Sequence, residues 1–67
     1  MKSYTRKEAR RYAIDCRAYL ESVPAYRGQV KAMLLRQAEN QERHGNIEIA
    51  RAYRLESRIA ARQSEFA

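Results

Sequence analysis

His44-Gly45-Asn46-Ile47-Glu48-Ile49-Ala50 is the stretch of this 67-residue chain that decides its fold. Gly45 suits the left-handed conformation that closes a helix, and Asn46 is a favoured N-cap for the helix that follows. The stretch therefore predicts a sharp reversal at 44–46 between two antiparallel helices. We expect these two helices, helix two and helix three, to cover 29–44 and 47–63.

The helix after this turn presents an apolar face that contains one carboxylate. With successive residues 100° apart, its apolar residues lie within about 160° of one another, and Glu56 lies among them. The residues of this face are Ile49, Ala52, Tyr53, Leu55, Ile59 and Ala60. We expect the last few residues to fray, with Phe66 as a candidate to fold back onto the core.

The helix before the turn is apolar mainly in its first half, whereas 37–43 is polar on almost every side. The polar half is expected to project into solvent or to pair with other polar groups. Pro is well tolerated at the first position of a helix, so helix two starts either at Pro24 or after Gly28. Its apolar residues are Val30, Met33, Leu34, Leu35 and Ala38.

Helix one is predicted over 6–22. Thr5 and Glu8 have the spacing of a capping box, in which each side chain accepts from the backbone amide of the other residue. Val23 precedes Pro24 and is therefore pushed out of the helical region, which ends the helix. An apolar stripe of about 120° follows the cap. It contains Ala9, Tyr12, Ala13, Cys16, Tyr19, Leu20 and Val23. We interpret the tyrosines, of which Tyr12 and Tyr19 are seven apart on this stripe, as helix–helix packing residues, with contact to a protein partner or stacking on nucleic-acid bases as the alternatives. The full set is Tyr4, Tyr12, Tyr19, Tyr26 and Tyr53.

These patterns predict one all-α domain spanning 1–67. Two to three helices are expected, as an antiparallel helical hairpin or a small three-helix bundle. No run of alternating β-branched residues is present, and good helix formers such as Ala, Arg, Glu and Leu dominate. A short chain with an alanine-rich core buries a small share of its surface, so we expect self-association.

No set of residues suited to catalysis is visible in the sequence. His44 is the only histidine and Cys16 the only cysteine, which is too few for a structural zinc site. We interpret His44 as a side chain at a helix C-terminus and Cys16 as a small buried hydrophobe. We therefore expect no enzymatic activity, no cofactor and no metal. Without a signal peptide or a membrane span, and with one unpaired cysteine, the expected compartment is the cytoplasm.

The arginines are the residues of this sequence that most strongly suggest a binding function. The net charge is +6, with eleven Arg against three Lys, and Arg forms bidentate bonds to carboxylates and phosphates. On helix three, four arginines fall within about 80° opposite the apolar face, as a binding ridge or simply as a solvated face. We call them the arginine ridge: Arg51, Arg54, Arg58 and Arg62. The second candidate surface is the N-terminal arginine cluster, formed by Arg6, Arg10, Arg11 and Arg17.

A non-catalytic interaction module that binds a protein partner or a second copy explains the Arg-over-Lys bias, the interleaved Glu residues and the tyrosines. The alternative is a basic nucleic-acid-binding protein that uses the arginine ridge. Eight acidic residues dilute the positive field, which favours the interaction module. No membrane partner and no small-molecule substrate are expected.

Two resemblances to known proteins bear on the fold and the function. Residues 45–50 are similar to the turn between the paired helices of a tetratricopeptide repeat, which implies a tight antiparallel hairpin. The short, basic, Trp-free chain, which runs from Met-Lys-Ser-Tyr-Thr-Arg-Lys-Glu straight into a helix, resembles small helical accessory proteins of temperate, lambdoid-type bacteriophages. That resemblance implies a regulator that acts by binding host or phage machinery.

Overall fold

The first helix, α1, covers Arg6–Ser22 and begins with the predicted capping box. In the computed structural model, which describes residues 4–65 and the side chains of 4–63, the Glu8 amide donates to Thr5 Oγ1 over 3.1 Å. The Thr5 amide donates to Glu8 Oε1 over the same distance. Val23 is extended, with φ −98° and ψ 114°, as expected for a residue before proline. The prediction is thus confirmed at both ends of α1.

A 3₁₀ helix over Pro24–Gln29 connects α1 to α2, which covers Val30–Arg43. The chain thus becomes helical at Pro24 but adopts α-helical hydrogen bonding only from Val30. Helical structure therefore begins at Pro24, the first predicted start, and the α-helix itself begins after Gly28, the second predicted start. Pro24 can open the 3₁₀ helix because the first helical residues need no backbone donor.

The turn at 44–46 is a Schellman motif that joins α2 to α3 (Ile47–Glu65). Gly45 has φ 80°, and its amide donates to Glu42 O over 3.0 Å. The Asn46 amide donates to Gln41 O over 2.9 Å, so both bonds of the motif are present. The predicted reversal is confirmed, and α3 runs two residues beyond its predicted end. Phe66 lies outside the described residues.

The three helices form an up-down-up bundle in which α3 is the central element. It packs along both α1 and α2, whereas α1 and α2 touch each other little. Arg17 in the second half of α1 bonds to Glu56 at the middle of α3 and to Gln63 near its end, and the beginnings of the two helices also lie side by side, so α1 and α3 run parallel. The all-α prediction is confirmed, and the bundle replaces the simple hairpin.

The core between these helices is built largely from small side chains. Tyr53 is its largest buried member, Leu34 is fully buried at its centre, and Cys16 and Met33 pack against its edge. Alanines allow helix axes to approach closely, which suits a short chain with few large apolar residues. The buried alanines are Ala9, Ala13, Ala38, Ala50 and Ala52.

The buried face of α3 is displaced from the predicted one. Leu55, expected in the core, is exposed, while Ala50 and Ser57 are buried. The face turned inward is wide because α3 contacts a helix on each side, and the arc extends from α1 around to α2. The Ser57 hydroxyl can be buried there because it donates to Arg54 O over 2.7 Å.

Two tyrosines of the predicted α1 stripe are not core residues. Tyr12 is 50% exposed and Tyr19 is 62% exposed. They lie at the border of the stripe, where Tyr12 packs edge-to-face on Tyr4 with ring centroids 5.4 Å apart. The prediction that both rings pack between helices is wrong, since α1 and α2 do not close over them.

Candidate interaction surfaces

The four side chains of the arginine ridge lie on the side of α3 that faces away from the core. Arg51, Arg58 and Arg62 are exposed and Arg54 is half-buried. Ile47 and Leu55, each four residues from Arg51, lie on the same side and are also exposed. The ridge is therefore a mixed surface, with aliphatic side chains beside the guanidinium groups.

The members of the arginine ridge differ in how firmly they are held. Arg54 Nη2 lies 2.7 Å from Glu42 Oε2 of α2, so this arginine ties the two helices of the hairpin together. Arg51 Nη1 lies 3.7 Å from Glu48 Oε1, which is a loose contact. Within the described part of the chain, Arg58 and Arg62 form no ion pair. Their charges are available to another molecule.

Arg17 of the N-terminal arginine cluster belongs to the interior instead. Its Nε donates to Glu56 Oε1 over 2.6 Å, and its Nη1 donates to Glu21 Oε1 over 2.8 Å. Gln63 Oε1 accepts a third bond over 3.3 Å. Hydrogen bonding to Glu56, which is only 2% exposed, raises the pKa of Arg17. A buried carboxylate needs such a partner, so Arg17 has a structural role.

The rest of the N-terminal arginine cluster divides between two surfaces. Arg11 Nε lies 3.7 Å from Asp15 Oδ2 on the outer side of α1. Arg6 and Arg10 face α3, where they meet Arg51 of the arginine ridge. The structure thus joins parts of both predicted surfaces at one place, which sequence reasoning about separate helices did not find.

The meeting point is a shallow groove of about 200 Å³ between the N-terminal halves of α1 and α3. We call it the α1–α3 groove. It is lined by Arg6, Arg10, Glu48, Arg51, Ala52 and Leu55. Arg6 and Arg10 make no ion pair with a described side chain, so the groove carries three guanidinium groups against one carboxylate.

His44 and Cys16, the residues considered for catalysis or metal binding, both make contacts within the folded chain. His44 Nδ1 is 2.8 Å from Asn40 O, at the predicted end of α2. Cys16 is half-buried and hydrogen-bonds to Tyr53, and burial raises the pKa of the thiol. Burial and the neighbouring Cys16 also raise the pKa of Tyr53. A raised pKa keeps the thiol protonated and makes it a poor nucleophile near neutral pH.

Within residues 4–63, no buried side-chain nitrogen or oxygen lacks a partner, and no three metal-ligating side chains cluster. The described helices include none with the length and apolar character needed to cross a bilayer. In comparisons with known proteins, no family model, no curated protein and no solved structure matches this chain.

Proposed function

We propose that this protein is a non-catalytic helical module that regulates a protein partner by binding it through the arginine ridge. The supporting observation is the set of exposed arginines on α3, Arg51, Arg58 and Arg62, of which only Arg51 has a carboxylate nearby among the described residues, at 3.7 Å. Such charges contribute little to folding, because the core beneath them is already closed. Their concentration on one face suits an acidic surface of another molecule.

A protein partner fits the composition of this face better than a nucleic acid does. Ile47 and Leu55 lie on the same side of α3 as the arginines, and Glu42 and Glu48 are within ion-pair distance of Arg54 and Arg51. Protein interfaces combine Arg with apolar side chains, whereas nucleic-acid interfaces are much more uniformly positive. The net charge of +6 keeps a basic nucleic-acid-binding protein as the second candidate.

The test is affinity capture from a bacterial lysate, with and without nuclease, using a matched pair of triple variants. One variant carries Arg51→Gln, Arg58→Gln and Arg62→Gln. The control carries Lys31→Gln, Arg36→Gln and Arg43→Gln, exposed positions on α2 that remove the same charge.

We expect wild type and the α2 control to retain the same protein after nuclease treatment, and the ridge variant to lose it. Equal retention by both variants would remove the arginine ridge from consideration. Capture that disappears with nuclease would instead favour the nucleic-acid alternative, which a steep salt dependence would support.

The proposal includes self-association. Large apolar side chains of α1 and α2 also remain exposed on the described surface, among them Ile14, Tyr19 and Leu35, and a second copy could cover part of them without occupying the arginine ridge. We expect a sedimentation mass above that of one chain at about 100 μM, a concentration well above the Kd of an ordinary weak dimer. A mass equal to one chain at that concentration would contradict this part of the proposal.

The setting is proposed on sequence grounds. The resemblance to accessory proteins of temperate phages supports a small regulator of host or phage machinery. The free thiol of Cys16 supports a reducing compartment such as the cytoplasm. Both parts of the proposal are tested by the identity of the captured protein, which should be a cytoplasmic bacterial or phage component.

A further inference from the structure

The α1–α3 groove has a geometry that the single-helix arginine surfaces lack. Arg6 and Arg10 are four residues apart on α1, so they project side by side toward α3. Arg51 approaches the same groove from the opposite side, and Ala52 and Leu55 supply apolar surface between the charges. Three arginines from two helices therefore line one partly apolar depression.

We propose that the α1–α3 groove binds a short acidic segment of the partner protein. A carboxylate of that segment is held between Arg6, Arg10 and Arg51, and a neighbouring aliphatic side chain lies on Ala52 and Leu55. Guanidinium groups bind carboxylates with paired, charge-assisted hydrogen bonds, and apolar contact beside them adds to the affinity. The groove deepens the binding function proposed above and depends on it.

Charge and size favour a peptide over a nucleic acid at this place. Glu48 lies inside the groove, where it can accept from a peptide amide, whereas a phosphodiester backbone has no donor to offer it. A volume of about 200 Å³ suits one or two side chains. A nucleic-acid strand instead needs a positive groove that tracks its backbone over several nucleotides.

A depression on α2 provides a matched control. It is lined only by polar residues of one helix, Arg36, Gln37, Glu39, Asn40 and Arg43, and includes no apolar side chain. Arg36 and Arg43 can thus be neutralised without touching the groove. Arg36→Gln/Arg43→Gln and Arg6→Gln/Arg10→Gln each lower the net charge of +6 by two.

Three fluorescent probes test the proposal by anisotropy at low ionic strength: a heptapeptide of alternating Glu and Leu, the same peptide with Ser for Leu, and an oligothymidylate of equal charge. We expect Arg6→Gln/Arg10→Gln to weaken binding of the Glu/Leu peptide about tenfold, since two arginine–carboxylate pairs are lost. The α2 control should weaken it by less than about threefold, the effect of net charge alone. The Glu/Ser peptide should bind wild type more weakly.

Glu48→Gln sharpens the test because it removes a carboxylate that competes for Arg51. This variant should bind the Glu/Leu peptide more tightly than wild type does. Circular dichroism of each variant shows whether the exposed substitutions leave the helices intact.

Equal weakening by the two double variants, or no peptide binding by wild type, would overturn the groove proposal. Tighter binding of the oligothymidylate, lost with Arg6 and Arg10, would reassign the groove to nucleic acid and also overturn it. Because this variant leaves the arginine ridge on α3 intact, protein capture through the ridge can persist when the groove fails. The peptide-binding assay and the capture assay therefore distinguish failure of the groove proposal from failure of the arginine-ridge proposal.

Discussion

At one end of the α1–α3 interface Arg17 donates to three side-chain oxygens, whereas at the other end Arg6 and Arg10 make no ion pair with any described side chain. The difference lies in the helix opposite. Glu56 is buried against Arg17, while the groove end offers only the half-exposed Glu48, which already lies near Arg51. A buried carboxylate converts a surface arginine into a structural one, and without it the same residue type stays available for binding.

The largest expected effect comes from breaking the Arg17 end. Arg17→Ala leaves the Glu56 carboxylate buried without a cation, which should lower the free energy of unfolding by about 3 kcal/mol. Urea denaturation followed by circular dichroism measures this loss.

A double variant distinguishes the contribution of the ion pair to stability from that of side-chain packing. Replacing both partners, as Arg17→Met/Glu56→Leu, removes the buried charge and should recover most of the stability. If the double variant were as unstable as Arg17→Ala, packing of the Arg17 side chain rather than charge compensation would be the cause.

Alkaline pH should destabilise the same end to a smaller extent. The pKa values of Cys16 and Tyr53 are raised by burial, so the unfolded chain loses these protons at lower pH than the folded chain does. Their stabilising contribution is full below the unfolded pKa values, and it is lost from about pH 8 upward as pH rises through the higher pKa values of the folded chain.

The measurement is the free energy of unfolding across that pH range. Cys16→Ala/Tyr53→Phe removes both titrations and should show a shallower decline than wild type. An unchanged slope in this variant would assign the decline to other groups.

Arg54 is intermediate between Arg17 and the groove arginines. It forms an ion pair, as Arg17 does, but its side chain is partly exposed. Arg54→Gln removes the contact with Glu42 and should cost about 0.7 kcal/mol, within the range of exposed ion pairs. Arg58→Gln, one turn further along the arginine ridge, should cost less, and thermal melting of both variants compares them. Equal losses would mean that the Glu42 contact contributes nothing.

The smallest effect on stability is expected at the groove end. Arg6→Gln/Arg10→Gln should change the free energy of unfolding by no more than about 0.5 kcal/mol, because both side chains are exposed and lack an ion pair with a described residue. Urea denaturation beside Arg17→Ala completes the comparison. A loss as large as that of Arg17→Ala would show that the two ends do not differ.

The helix boundaries could be predicted because local chemistry determines them. The capping box at Thr5, the extended residue before Pro24 and the left-handed Gly45 each act within a few residues. The pairing of Arg17 with Glu56 joins residues 39 apart and depends on how α1 docks on α3. Its one sequence signal was a carboxylate inside the apolar face of α3, which indicates a buried partner without naming it.

The edges of the core were predicted less well because they also depend on how the helices dock on one another. Periodicity gives the direction of an apolar stripe, but the width of the buried face depends on how many neighbours a helix has. For α3 there are two, so Ser57 is buried and Leu55 is not. For α1 the main neighbour is α3, which leaves Tyr12 at the border. The α1–α3 groove needed the docking of two helices, so neither helix alone could predict it.

The central position of α3 has a consequence for how the chain folds as it is made. Both α1 and α2 leave the ribosome before the helix on which they pack, and they touch each other little. The α2–α3 hairpin has local contacts and should form first, whereas α1 must wait for partners about 40 residues downstream. Until α3 arrives, the nascent chain carries the apolar stripe of α1 uncovered, a state in which chaperones and proteases compete with folding.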